Sequence, residues 1–580
     1  MSGQSHSSEG TAYDHDEPPS AQQSPLSTDH YRWSERARVY IPSDQTDRQR
    51  TLVLCFDGTG DQFDSDNSNV VQLVSMLKKD DTTKQLVYYQ TGIGTYVDSA
   101  FKAPFLSGIS EVVDEMLAWN LPNHIKAGYA FLMENYTRGD KICIFGFSRG
   151  AYTARALAGM VQKVGVLPPH NYQQIPFAWN MYKRDDPEAL QLSGMFKRTF
   201  CRDVSIDFLG VWDTVASVGI VPQYLPFITE NNGIKYLRHA LALDERRIKF
   251  LPSYCVDPKR HSHGDGKKGK MTMQKQFEET VNSTNEQLTD VKEVWFAGVH
   301  TDVGGGSVKN DTPHALARIP LRWMIRECFN CDTGIIFDAV MLQQIGMNVY
   351  VDKDGSAVLG DQPNRLPAET SDASPKERPK RSWAWYTLVG LWGMVTYPIT
   401  RVMDISRMAS SHTKHAHLES KRHTLPVRGY NAEYRLIPFT PEQAAKHEAE
   451  EERKDALSPL NDQLSANWVW HAMEWMPMRI KKQKAILHMI EDASGYTWVW
   501  NKGQGRKIYK DEMDEGMRVH RSVKTRLEAG AVFDDDEQLY WPKVRPNLRS
   551  RDSGKKGRNP VRLEHHEWNV DEPEYWEWVN

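Results

Sequence analysis

The chain predicts an α/β fold: a mostly parallel central sheet flanked by helices, with insertions and a helical C-terminal region. Three observations lead there. From Thr51 onward short apolar runs alternate with segments of helical spacing, which is the pattern of successive β-α units. Each run ends in glycine or in polar turn residues. One run, Lys141–Phe145, passes through Gly146-Phe147-Ser148-Arg149-Gly150 directly into Ala151–Val164, a helix with small residues where it must pack on a sheet.

Residues 1–45 are rich in Ser, Asp, Pro and Gln and poor in large apolar side chains, so they are expected to be a disordered N-terminal tail. Residues 46–350 are expected to form the core. Its strands are read as Leu52–Phe56, Leu86–Tyr89, Lys141–Phe145, Val204–Val211 and Val294–Val299. Between the second and third, Ile125, Tyr129, Leu132, Met133 and Tyr136 recur at three and four residues, as on the buried face of a helix. Leu237–Arg247 also has helical composition. Residues 351–381 read as a linker or insertion, 382–545 as a helical, aromatic-rich region completing or capping the core, and 546–580 as a polar, acidic-aromatic tail. The charged stretch Glu442–Lys454 has helical composition.

With 72 basic against 76 acidic residues the formal charge is −4, so no nucleic-acid partner is expected. The N-terminus carries neither a basic n-region nor an apolar h-region, and the expected location is intracellular, in the cytoplasm. Ser382–Thr400 contains no charged residue and approaches the ~20 residues that span a bilayer. Its threonines, glycines and aromatics suit a buried helix or a peripheral membrane contact better than a span. The 6 cysteines are too few for a disulfide scaffold. Cys328-Phe329-Asn330-Cys331, a lone C-x-x-C, lacks the second pair of a zinc site and reads as helix cysteines.

A serine in Gly-x-Ser-x-Gly between a strand and a helix sits on a strained turn, and the flanking glycines leave room for neighbouring backbone. That makes Ser148 the candidate nucleophile, with a plain tight turn as the competing reading. Its hydroxyl needs a base, and the base needs an acid that fixes its tautomer. In an α/β-hydrolase-like fold the order along the chain is Ser, then Asp or Glu, then His. Asp213 follows Ser205–Trp212 and His300 follows Val294–Val299, each at the end of an expected strand. A turn aspartate and a backbone-bonded histidine are the plainer alternatives. Asp302 is a rival acid better suited to the Gly304-Gly305-Gly306 turn; His239 and His520 are alternative bases. An oxyanion hole is expected from the N–H of Arg149 and the glycine loop Gly58-Thr59, which Asp57 orients or links to Arg149. A metal on Asp57 and Asp302 is disfavoured, since hard cations want more convergent oxygens, and no metal or organic cofactor is expected.

Six segments in order are similar to one known set: Leu54–Thr59, Tyr89–Thr95, Gly146–Tyr152, Gly210–Val215, His239–Glu245 and Gly298–Gly306. They resemble the α/β-hydrolase domain of type VI secretion phospholipase effectors and of related uncharacterised fungal and bacterial proteins. The resemblance covers roughly Arg50 to Leu321. It implies ester hydrolysis of glycerophospholipids, with Ser148, Asp213 and His300 at the triad positions and a lipid or other ester as partner. Soluble-ester or thioester hydrolysis, or a silent scaffold, are the alternatives.

Overall fold

The computed structural model describes residues 39–42, 49–58, 61, 63–92, 121–184, 186–215, 225–229, 231–255, 288–361, 435–466, 470, 474–475, 478–481, 496–508, 517–529, 540, 542–546 and 576–580. The expected tail up to Arg38, the oxyanion candidate Thr59 and the aromatic segment 382–400 lie outside them. Among the described residues no helix is long and apolar enough to cross a membrane.

The central sheet has eight strands: β1 (Thr51–Phe56), β2 (Gln85–Gln90), β3 (Lys141–Phe147), β4 (Ile206–Trp212), β5 (Ile234–Ala242), β6 (Asp290–Phe296), β7 (Met517–His520) and β8 (Trp576–Val579). Their order across the sheet is β8-β7-β6-β5-β4-β3-β1-β2, and every pairing is parallel. A parallel sheet covered on both faces needs strands that are apolar on both sides, and Leu52-Val53-Leu54-Cys55-Phe56 is buried throughout. Leu52, Leu54, Ile142 and Ile144 face one apolar layer with α2 (Leu121–Asn135), α3 (Ser148–Val164), α4 (Ile175–Lys183) and α5 (Pro187–Phe200). Val53, Cys55, Cys143 and Phe145 face the other, with α1 (Asn69–Met76) and α7 (Arg318–Asn330). The sequence reverses direction across the sheet between β1 and β3. Ligands in open α/β sheets bind beyond the carboxyl ends of the strands at such a reversal, and Asp57 and Ser148 stand at those two ends.

Met517–His520, in the region 382–545 expected to be helical, is the sheet strand β7, held by pairing on both sides, and two further elements depart from the sequence expectations. Leu237–Ala242, with helical composition, is the inner strand β5, because hydrogen bonding to β4 and β6 on both sides outweighs a weak local propensity. Its Arg238 is accommodated by pairing with Asp290 and Glu327. Within the expected tail, Trp576–Val579 forms the edge strand β8, paired with β7 in register from Met517↔Trp576 to His520↔Val579. The charged stretch forms α8 (Pro441–Ala456), started by a capping box between Thr440 and Gln443. Glu448, Glu452 and Asp455 share one face of α8 and are buried. Arg326 pairs with Glu448, Arg322 with Asp455 at 2.6 Å and Arg521 with Glu452 at 2.5 Å. α8 is thereby tied to α7 and to α9 (Arg521–Glu528), so this highly charged stretch is a docked element.

Candidate active site

β3 ends at Phe147 and α3 begins at Ser148 without an intervening loop. The turn forces Ser148 to φ 57°, a left-handed conformation that costs a non-glycine residue about 1–2 kcal/mol. Both flanking glycines are required by close approach. A Cβ on Gly146 would lie 2.5 Å from the Gly150 carbonyl oxygen, and one on Gly150 would lie 2.3 Å from the carbonyl oxygens of Asp57 and Phe56. These neighbours are backbone and cannot swing aside. Gly150→Ala is therefore expected to lower stability by at least about 1–3 kcal/mol in a denaturant melt; a melt matching the parent would show that the elbow is less tightly packed.

Asp213, immediately after β4, is buried and also has positive φ, at 41°. Its Oδ2 lies 2.6 Å from Nδ1 of His300, and its Oδ1 accepts from Ala242 N at 2.8 Å. His300 opens the short helix α6 (His300–Gly304) beyond β6. Its ring is held between Phe147 and Phe250, with centroids 4.7 Å away in each case. A Cβ on Gly304 would fall 1.8 Å from the Phe147 ring, so the glycine makes room for the ring that packs His300 beside the elbow. Burial pushes the His300 imidazole below its ordinary pKa, and hydrogen bonding and charge from Asp213 work the other way. At Asp213 burial favours the neutral acid, but the positive charge and hydrogen bonds of Arg506 with the His300 bond hold the carboxyl well below the usual range.

The remaining expected residues are placed as follows. Asp57 is buried and accepts from Ser68 Oγ at 2.6 Å, Tyr89 Oη at 2.7 Å and Gly58 N at 2.9 Å. It does orient the glycine loop, but it occupies the Gly58 N–H expected to serve an oxyanion. Burial raises its carboxyl pKa. Asp302 accepts from Val299 N at 3.1 Å and from Asn461 Nδ2 at 2.7 Å, fixing the turn rather than His300. His520 stacks on Phe296 at 4.8 Å and its Nδ1 accepts from Ser522 N at 3.2 Å, capping α9. Burial pushes it down to about 3, and the histidine bonded to Asp213 is His300. His239 Nε2 accepts from Thr214 N at 3.0 Å, so its Nδ1 carries the proton and donates to Glu293 at 2.7 Å. The candidate ligand atoms of His239, Cys255 and Glu293 lie within 4.8 Å of one another, yet both histidine nitrogens are already engaged. That histidine and Glu293 brace the turn carrying Asp213.

Residues 50–327 match the family described as T6SS, Phospholipase effector Tle1-like, catalytic domain. The uncharacterized protein YEL023C of Saccharomyces cerevisiae is 39% identical over 237 residues, which are 38% of this chain and 35% of that protein. A crystal structure of an uncharacterized protein from Pseudomonas aeruginosa is 17% identical over 50% of this chain and 46% of its own, with a TM-score of 0.28. The structure of the Tle1 effector bound to the VgrG spike of the type 6 secretion system is 18% identical over 49% of this chain and 56% of its own, with a TM-score of 0.24. The chain thus spans about a third of the yeast relative and about half of each solved chain.

The matched segment 50–327 contains Ser148, Asp213 and His300, but not every group around them. Arg506, outside it, donates Nη1 to Asp213 Oδ1 at 2.6 Å and Nη2 to Asp213 Oδ2 at 2.7 Å. Trp470, from the expected aromatic region, packs on Phe250 at 5.5 Å. Sequence reasoning missed Arg506, which carries no spacing or motif that sets it apart, and read Trp470 only as part of an aromatic-rich region.

Proposed function

We propose that the chain is a serine-nucleophile hydrolase of carboxylic esters, of phospholipase type, working through an acyl-enzyme. The observation that carries the reading is the 2.6 Å pair of His300 Nδ1 and Asp213 Oδ2, packed by Phe147 beside the strained Ser148. Asp213 holds the proton on Nδ1, which leaves Nε2 to take the proton of Ser148 as its Oγ attacks the ester carbonyl. The backbone N–H of Arg149 stabilises the developing oxyanion. His300 then returns its proton to the departing alcohol, and water resolves the acyl-serine by the same route. A phospholipid as substrate is supported by the family of residues 50–327. We likewise place the protein inside the cell, where its unpaired cysteines stay reduced.

The test compares purified full chain on phospholipid vesicles and on short soluble esters, with Ser148→Ala as control in both. Release of fatty acid from vesicles that is lost in the variant is the expected result. Hydrolysis of soluble esters alone, without vesicle binding, would replace the phospholipase reading by a soluble esterase. Vesicle binding without hydrolysis by either protein would point to a scaffold.

A further inference from the structure

We infer that Arg506 is a positioning residue of the catalytic centre, so that the C-terminal half completes a site the matched segment 50–327 does not complete by itself. The inference rests on the assignment of Asp213 and His300 just proposed. It starts from how fully the carboxylate of Asp213 is used. Oδ1 takes Arg506 Nη1 at 2.6 Å and Ala242 N at 2.8 Å; Oδ2 takes Arg506 Nη2 at 2.7 Å and His300 Nδ1 at 2.6 Å. A two-pronged guanidinium fixes both the position and the plane of a carboxylate, which a single hydrogen bond to histidine does not.

Arg506 is itself pinned. It is 2% exposed, and it also donates to the carbonyl oxygens of Ala242 at 3.0 Å and Phe250 at 2.5 Å. It therefore joins the end of β4, the end of β5 and the segment whose Phe250 ring packs against His300. These three pieces define where the imidazole sits.

The second consequence is electrostatic. The guanidinium is permanently charged, and it cancels much of the pull that Asp213 exerts on a protonated His300. The other charges facing His300 are Glu245, whose Oε2 accepts from the backbone N–H of His300 at 3.2 Å, and Arg247, which pairs with Glu245 at 2.9 Å. Those two offset each other, so beside burial it is the Asp213–Arg506 pair that sets the proton affinity of the ring. Arg506 keeps His300 neutral, and able to accept a proton, to lower pH than Asp213 acting alone would allow. An arginine that only held the fold together would not have this effect.

The test is the full chain with Arg506→Gln and Arg506→Lys, read by the pH profile of kcat/KM and by NMR titration of histidine-labelled protein. The His300 signal is assigned by its loss in His300→Gln. Removing the cation is expected to raise the His300 midpoint, and with it the acid limb, by about one pH unit or more. The lysine variant is expected to stay within about half a unit of the parent. A folded Arg506→Gln protein with an unmoved midpoint overturns the inference. Should the glutamine variant not fold, Arg506→Met, an uncharged side chain of similar reach, is read by the same criterion, and a parent His300 midpoint above the ordinary ~6.5 means that Asp213 acts uncompensated and overturns the inference. The NMR readout needs no turnover. Absence of any Ser148-dependent hydrolysis in the parent would therefore defeat the proposed activity while leaving the Arg506 result to stand or fall by itself.

Discussion

Ser148→Ala is expected to reduce ester hydrolysis by roughly 10⁴–10⁶-fold without unfolding the protein. The magnitude follows from the way triad members act as a unit: once the nucleophile is gone, the base and acid have nothing to activate, and only binding and oxyanion stabilisation remain. The fold is spared because the elbow does not depend on the hydroxyl. Ser148 holds φ 57° because Phe147 must end β3 and Gly150 must pass within contact of the Asp57 and Phe56 carbonyls, and alanine adopts that conformation at a similar cost. Thermal melts of parent and variant should then superpose within experimental error. Undiminished turnover in a folded Ser148→Ala protein would remove Ser148 from the mechanism, and the dyad of His300 and Asp213 would need another partner.

Most of the centre was legible because its three residues each follow an expected strand, and parallel strands deliver their last residues to one edge of a sheet. Strands β3, β4, β5 and β6 lie side by side in chain order, so Ser148, Asp213 and His300 arrive at the same edge. What could not be read depends on contacts that leave no local pattern. β5 has the alanine, leucine and arginine of a helix, and only its neighbours on either side make it a strand. The buried face of α8 is invisible in a charged sequence, because Glu448, Glu452 and Asp455 are tolerated inside only with Arg326, Arg322 and Arg521 opposite them. Gly58 was expected to donate to an oxyanion, but an aspartate next to a glycine loop competes for the same N–H, and Asp57 takes it. Arg506 is the extreme case: 293 residues separate it from Asp213, and it stands among ordinary basic and glycine residues.

Asp213→Asn is expected to lose both activity and stability, for separate reasons that one variant exposes together. An amide at this position can still offer an oxygen to Arg506, but its NH₂ then faces His300 Nδ1. Two donors cannot share that 2.6 Å contact, so the imidazole is forced into the tautomer with its proton on Nε2, the atom that must accept from Ser148. A fall in turnover of about 10⁴-fold follows from that tautomer alone. The stability loss comes from the other side of the carboxylate: Arg506 is left as a buried cation without its anion, a change that costs about 3–5 kcal/mol. The pH dependence separates the two. Because the folded-state pKa of Asp213 is depressed, its contribution to stability is fully present above the unfolded value of ~3.9 and is lost only as pH falls toward the folded value. The difference in stability between parent and Asn variant should therefore be constant from about pH 5 upward and shrink in strong acid, whereas the activity defect persists across the whole working range. Melts that coincide at neutral pH would mean that the Asp213–Arg506 pair does not hold the centre together. Turnover within tenfold of the parent would mean that Asp213 does not set the tautomer of His300.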